Sequence, residues 1–306
     1  MTNRTSIEWT EATWNPVTGC TRTSPGCEHC YIERTPPMRI HGRRFDGPRI
    51  GATTGVQLHP QRLEWPLRQR KPLRVFVCSM ADLFHDEVPD AYIARVWAAM
   101  AATPHITYQV LTKRHARMNH LLNSGSFFCD VADAWDALWV THGDTVVERD
   151  SSEHWWPLSN VWVGVSAENQ QWANIRIPTL LGTPAAVRFV SLEPLLGPID
   201  LQHAVTSMGE RRGHGLTARW VHTRSCCQKF HGIDWVIAGG ESGPHARAMD
   251  PDWVRSLRDQ CHVGDVPFFF KQWGGRTPKA AGRTLDGSIW VQTPSTTTTL
   301  PERNTP

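Results

Sequence analysis

A single rhythm governs most of this chain: a short β-branched or aromatic run, then polar residues, then a helix-like stretch. The runs are Val56 to Leu58, Val75 to Cys78, Ile106 to Leu111, Val161 to Val165, Val187 to Val190, Trp235 to Ala238 and Pro267 to Phe270. Near-continuous apolar character suits strands buried on both faces, the pattern of a parallel sheet covered by helices. The intervening stretches agree. "PDAYIARVWAAMAAT" sets Ile93, Val96, Trp97 and Met100 on one helical stripe, with Asp90 available as a cap. "DPDWVRSLRDQC" opens with Asp250 as cap and Pro251 at the first helical position, and carries Trp253, Val254, Leu257 and Cys261 on its apolar face. With "TWNPV" as a further strand there are about eight strand candidates, the signature of an α/β fold of the TIM-like (β/α) barrel type, complete or partial. A doubly wound open sheet is the runner-up.

The expected organisation is one (β/α) barrel domain over 1–292, with a cysteine loop at 20–30 and loop insertions at about 141–159 and 203–232. A low-complexity tail over 293–306, "PSTTTTLPERNTP" at its heart, is expected to be disordered. Just before it, "LDGSIWV" carries the Asp-Gly of a tight hairpin. The start, "MTNRTSIEWTEATW", lacks the basic-then-apolar pattern of a signal peptide, and no segment reaches the roughly 20 apolar residues of a membrane span. A cytoplasmic protein with no membrane partner is therefore expected. In that reducing setting the eight cysteines are not expected to form a disulfide framework, and a tight cluster points to metal or catalysis.

In a parallel barrel, functional groups project from the C-terminal ends of the strands. Ser79, Asp82 and His85 follow "VFVC"; Lys113 and Arg114 follow "YQVL"; Ser166 and Glu168 follow "VWVGV". Ser191 and Glu193 follow "VRFV"; Gly239, Gly240, Glu241 and Ser242 close "WVIA"; Lys271, Gln272 and Trp273 follow "FFF". Strand ends meet solvent and are polar in any barrel. What turns the reading toward function is that three strands each deliver a carboxylate, in "SAEN", "SLEP" and "GGES". Glu168, Glu193 and Glu241, with Lys113 and Lys271 opposite, would form an active-site mouth. Glu193, Glu241, Lys113 and His85 are the catalytic candidates. "AGGESG" lacks the third glycine of a dinucleotide loop, and the first βα turn holds cysteines instead, which excludes nicotinamide-dehydrogenase chemistry.

That first turn is "TWNPVTGCTRTSPGCEHCY", with Cys20, Cys27 and Cys30 at the spacing C-x6-C-x2-C. Three converging thiolates bind metal. A structural zinc site wants a fourth ligand, which His29 or His41 could supply. A 4Fe-4S cluster on three cysteines leaves one iron without a protein ligand. The position of the loop, at the catalytic end of the barrel, favours iron-sulfur. "SCCQKFH", with Cys226, Cys227, His222 and His231, offers a second but weaker cluster. Cys78 and Cys129 read as buried.

A three-cysteine loop after the first strand of a (β/α) barrel resembles the radical S-adenosylmethionine superfamily. More closely, that loop with "VFVCSMADLFHDEVP", "LTKR", "VWVGVS", "SLEPLLGPIDL", "WVIAGGESGPHARAMDPDWVRSLRDQC" and "PFFFKQWG" resembles a phage and bacterial three-cysteine-motif family without an assigned reaction. The resemblance implies a 4Fe-4S cluster on Cys20, Cys27 and Cys30, S-adenosyl-L-methionine at the open iron, and an electron donor such as flavodoxin or ferredoxin. It also implies cofactor-binding groups among Ser79, Asp82, Ser166, Glu168, Ser191, Gly239, Gly240, Ser242 and Lys271, with Lys113 or Arg114 pairing a carboxylate or phosphate. The six residues between Cys20 and Cys27 exceed the superfamily's usual three.

From Arg34 to Arg74 there are ten basic residues against two acidic ones, a composition suited to phosphate or to a solvated face. The resulting expectation is a radical S-adenosylmethionine-like enzyme modifying or repairing nucleic acid or a nucleotide, with room for a partner protein. The alternative is a nucleic-acid-binding phage-type protein whose zinc or iron-sulfur site is structural. A metal-independent hydrolase using Glu193 and Glu241 would leave the cysteines unexplained.

Overall fold

Seven strands of the computed structural model join into one parallel sheet in simple chain order: β1 (Ala12–Trp14), β2 (Leu73–Val77), β3 (Ile106–Thr112), β4 (Val161–Ser166), β5 (Val187–Leu192), β6 (Trp235–Gly239) and β7 (Phe268–Gln272). The structure describes residues 5–147, 155–206, 219–223, 226–230, 232–277 and 280–295. Strands β1 and β7 do not pair, so the sheet is an open half-barrel rather than a closed eight-stranded one. The missing strand is the run at Val56 to Leu58. Gln57–Leu58 pairs antiparallel with Val17–Thr18, outside the main sheet, because it belongs to the loop that folds back over the β1 turn.

The helices are α1 (Pro36–Ile40), α2 (Asp90–Ala101), α3 (His115–Leu122), α4 (Gly125–His142), α5 (Gln170–Leu181), α6 (Leu201–Thr206) and α7 (Pro251–Val263). In α7, Asp250 caps the helix, accepting from the Asp252 N–H, and Pro251 occupies the first turn. In α2 the cap is Pro89; Asp90 sits one position inside and pairs with Arg117. The region expected as a first insertion contains the end of α4 and a short 3-10 turn, Gly143–Thr145, with residues 148–154 outside the described set. The second contains the antiparallel pair Arg219–Thr223 and Cys226–Phe230. His231 lies outside the described residues, as do the side chains of Cys226, Cys227 and His222 and the tail from 296 on. The expected hairpin joins Thr284–Leu285 to Ser288–Ile289, with Asp286 and Gly287 at φ 49° and 78°, the left-handed pair that such a turn requires.

Alternation along each strand divides the core in two. Val75, Val77, Tyr108, Val110, Val163, Val165, Val236 and Phe270 face the helices, where Trp97 meets Phe84 and Phe127 at 5.7 and 6.1 Å between rings. The other face forms the concave floor: Phe76, Trp162, Phe189, Trp235, Ile237 and Phe269, closed by Trp9. Trp9 lies 4.7 Å from Phe76, and Trp235 meets Trp9, Trp162 and Phe269 edge-on, tilted arrangements that aromatic quadrupoles favour by about 0.5–1.5 kcal/mol per pair. Gly164 makes room for this floor: a Cβ there would lie 2.7 Å from the Phe189 ring. Gly164→Ala is expected to cost about 1–3 kcal/mol through overpacking, read as a lower urea midpoint. An unchanged midpoint would mean that the ring has space to retreat.

Candidate functional site

Each strand that ends on the concave face carries its polar residues directly above the aromatic floor, since residues two apart share a face. Above Phe189 come Ser191 and Glu193, and above Phe269 comes Lys271. The Lys271 ammonium lies 2.8 Å from Glu193 Oε1, and Ser191 Oγ donates to Glu193 Oε2 at 3.1 Å. Gly239 permits this pair, because a Cβ there would stand 2.9 Å from Glu193 Oε1. Gly240 has a different reason to be glycine: its Cβ would meet the Trp273 carbonyl at 1.9 Å, a backbone contact that cannot yield. Trp273 itself donates to the Thr284 carbonyl and packs edge-on against Phe270, 4.8 Å between rings, so it joins the C-terminal hairpin to the rim.

The cysteine loop runs from β1 across this mouth. Gly19 is tied to the Met80 carbonyl (2.9 Å), and Asn15 Oδ1 accepts from Ser79 Oγ and the Met80 N–H. Cys20, Cys27 and Cys30 are free thiols, each half-buried. They stand close enough for charge on Cys27 and Cys30 to raise Cys20, and for charge on Cys27 to raise Cys30. Burial pushes the Cys20 thiol up to about 12, with the Asp82 carboxylate adding to it and the Arg114 guanidinium, 3.9 Å from the sulfur, opposing it. Burial likewise raises Cys30. Cys27 is the exception. Burial disfavours its thiolate, but the Lys113 ammonium and hydrogen bonds from the backbone at Thr23 and Ser24 outweigh burial and hold it below the ordinary thiol value.

Three anchors fix the loop, and each uses a candidate residue. Asp82, buried at the end of β2, accepts from the Phe84 N–H (3.0 Å), Thr112 Oγ1 (2.6 Å) and the Lys113 N–H (2.9 Å), and pairs with Arg114 at 3.5 Å. Arg114 then reaches the Thr21 carbonyl and Cys20. His85 is buried too. Its Nδ1 accepts from the Glu87 N–H (3.1 Å), so the proton sits on Nε2, which donates to Thr21 Oγ1 at 2.8 Å. Burial, then Arg114, lower its pKa and keep it neutral.

Glu168 forms the second anchor. Wholly buried, it accepts from the Gly26 N–H (3.1 Å) and pairs with the equally buried Arg176 at 3.0 Å, while Arg176 also donates to the Ser166 carbonyl. The third anchor is Glu241, whose carboxylate takes Arg247 through Nη2 (2.6 Å), Nε (2.9 Å) and its N–H (3.0 Å), and His29 through Nδ1 (2.9 Å). Arg247 extends to the Pro25 carbonyl and to Glu28. Ser242 accepts from Gln272 at its hydroxyl and from Arg34 at its carbonyl.

The three carboxylates proposed as one ring thus divide their work: Glu193 faces Lys271 on the concave surface, while Glu168 and Glu241 hold the cysteine loop. Lys271 stands beside Glu193 rather than across from it. The Lys113 ammonium has no hydrogen-bond or ion-pair partner among the described residues, and its charge favours the thiolates of Cys27 and Cys30. Arg176 and Arg247 were not among the sequence candidates. Both reach back to a carboxylate eight or six residues earlier, a return that depends on how the chain turns after the strand end. Cys129, expected in the core, is exposed on α4, because the buried stripe of that helix is Phe127, Val131, Ala132 and Trp135.

Burial raises the acid form of Glu241, but the hydrogen bonds from Arg247 and His29 prevail and depress its pKa below the ordinary 4.5. A depressed carboxylate contributes stability above its unfolded value that is lost as pH falls through the folded one. Wild type is therefore expected to lose more stability than Glu241→Gln between about pH 5 and pH 3 in urea titrations, and parallel profiles would contradict this.

A family profile described as a protein of unknown function, DUF5131, matches residues 4–294. The chain belongs to the DUF5131 family. A search of curated proteins gives no match for it. Among solved structures, this DUF5131 member is similar to a cysteine-to-serine mutant of spore photoproduct lyase, with TM-score 0.35 and 11% identity over 86% of this chain and 75% of that one. A tyrosine-to-phenylalanine mutant of the same lyase gives TM-score 0.34 and 11% identity over 85% and 76%. Among the described residues, no helix is long and apolar enough to cross a membrane.

Proposed function

We propose that the chain is an iron-sulfur enzyme of the radical S-adenosylmethionine type, acting on nucleic acid or a nucleotide. The observation that carries this reading is the cysteine loop: three half-buried thiols that feel one another's charge, fixed at the C-terminal end of a parallel half-barrel beside an unpartnered lysine. A structural zinc site is the alternative. It would need a fourth ligand beside the three thiols. His29 is the candidate, with its Nδ1 on Glu241, an arrangement also common in metal-binding histidines. A cubane cluster instead spreads three thiolates over three irons.

Cys20, Cys27 and Cys30 would hold the cluster, which when bound supplies the electron that cleaves S-adenosylmethionine. The chain's own residues do the rest. Lys113 and Arg114 offset thiolate charge, Glu168 and Glu241 fix the loop, and the Glu193–Lys271 pair offers a carboxylate and an ammonium to a substrate above an apolar floor. Electrons would come from a separate donor of flavodoxin or ferredoxin type, in the cytoplasm.

The test is anaerobic purification with iron and sulfide quantification, then assay of the reduced protein with S-adenosylmethionine for 5'-deoxyadenosine. About four irons per chain with cleavage supports the proposal. Zinc, or no metal, with no cleavage sinks it.

A further inference from the structure

The arginines in and after the cysteine loop fall into two kinds. Arg43 is built in: it donates to Gln57 (2.8 Å), Thr18 Oγ1 (3.0 Å) and the carbonyls of Thr54 and Gly55. Arg22 donates to the Gly47 carbonyl at 2.7 Å and lies over the Phe45 ring at 4.2 Å. Arg39, Arg44 and Arg49 are exposed, and their guanidinium groups make no hydrogen bond or ion pair among the described residues. The nearby acids bind backbone N–H groups and not these arginines. Asp46 accepts from the Thr53 N–H at 2.8 Å, and Glu33 accepts from the Phe45 N–H at 2.7 Å.

Two of these arginines are each followed by an exposed isoleucine: Ile40 is 77% exposed and Ile50 is 64%. Exposed isoleucines next to cations without an acidic partner put an apolar contact and a phosphate contact on one segment. Their place is fixed by the cysteine loop: the Arg22 N–H donates to the Ala52 carbonyl, the Gly51 N–H to the Arg22 carbonyl, and the Thr54 N–H to the Cys20 carbonyl, at 2.9, 2.9 and 3.0 Å. The segment is therefore fastened alongside the cysteine loop. The rest of the basic run is not: Arg70 and Lys71 precede β2, at the opposite end of the sheet, and Arg68 and Arg74 lie near Glu64 and Glu11.

We propose that residues 39–51 form a docking flap for duplex DNA, in which Arg39, Arg44 and Arg49 take backbone phosphates and Ile40 and Ile50 wedge into a base step beside the cysteine loop. Arginine supplies the phosphate contacts and the counterion release, and an apolar wedge unstacks a step so that a base becomes reachable from outside the stack. The inference deepens the nucleic-acid reading above and rests on it.

The test is binding of a short labelled duplex containing 2-aminopurine, across a salt series. Arg44→Ala/Arg49→Ala is expected to weaken binding by about tenfold or more and to flatten the log–log salt slope by about 2. Arg70→Ala/Lys71→Ala should leave both unchanged. Ile40→Ala/Ile50→Ala should keep the slope and lose the 2-aminopurine fluorescence rise. The flap is overturned if the Arg44/Arg49 variant binds as wild type, if the Arg70/Lys71 variant loses as much, or if a single strand binds as tightly with no fluorescence response. Iron content and 5'-deoxyadenosine formation are read on the same preparations. Duplex binding through the flap without cleavage would overturn the radical reading and keep the flap; cleavage without duplex binding would do the reverse.

Discussion

Cys27→Ala is expected to reduce bound iron from about four per chain to near zero, and to abolish 5'-deoxyadenosine formation with it. Two thiols cannot hold a face of the cluster that three are arranged to hold, and Cys27 is the thiol that its surroundings favour as thiolate. Folding should be little affected. Cys27 is half-buried at the end of a single 3-10 turn, Pro25–Cys27, and the anchors through Gly26, His29 and Pro25 do not involve its sulfur. Cys129→Ala, on the exposed side of α4, is the matching control and should keep its iron. Retention of full iron by Cys27→Ala, with the same absorption spectrum, would remove the cluster from this loop.

Arg176→Met should be the most destabilising single change at the site, by about 3–5 kcal/mol, with a fall in Tm on the order of 10 °C. The reason is what remains behind: Glu168, with no exposed surface, would keep a buried charge with only the Gly26 N–H to meet it. Arg176 is itself imperfectly satisfied. Its Nε and Nη2 have no hydrogen-bond partner among the described residues, and its guanidinium lies 4.1 Å over the Trp172 ring. Removing both charges should therefore be milder than removing one. Arg176→Met/Glu168→Gln, which keeps an acceptor for Gly26, is expected to recover much of the loss. If the single variant costs under about 1 kcal/mol, water reaches Glu168 and the pair is not the anchor described.

Much of the architecture was legible because parallel strands buried on both faces cannot alternate. Six of the seven runs named from the sequence became strands of the sheet, as did the "TWNPV" segment. The Val56 to Leu58 run did not, since two or three apolar residues carry no information about which partner they will find. Local chemistry was legible where it is truly local: the Asp250 cap, the Pro251 start, and the Asp286-Gly287 turn. Cys129 misled because a helix has one buried stripe, and an isolated cysteine among apolar neighbours does not declare its side.

By itself, then, the sequence determined that strands and helices alternate, that polar groups gather at the strand ends, and that three cysteines share one loop. Tertiary structure alone decided the division of labour among those groups. Glu168, Glu193 and Glu241 look alike as strand-end carboxylates, and they differ because Arg176, Lys271 and Arg247 reach them from 8, 78 and 6 residues away. A charge is structural or available according to whether a countercharge meets it out of water, and that depends on how the chain turns after each strand end and on what packs over it.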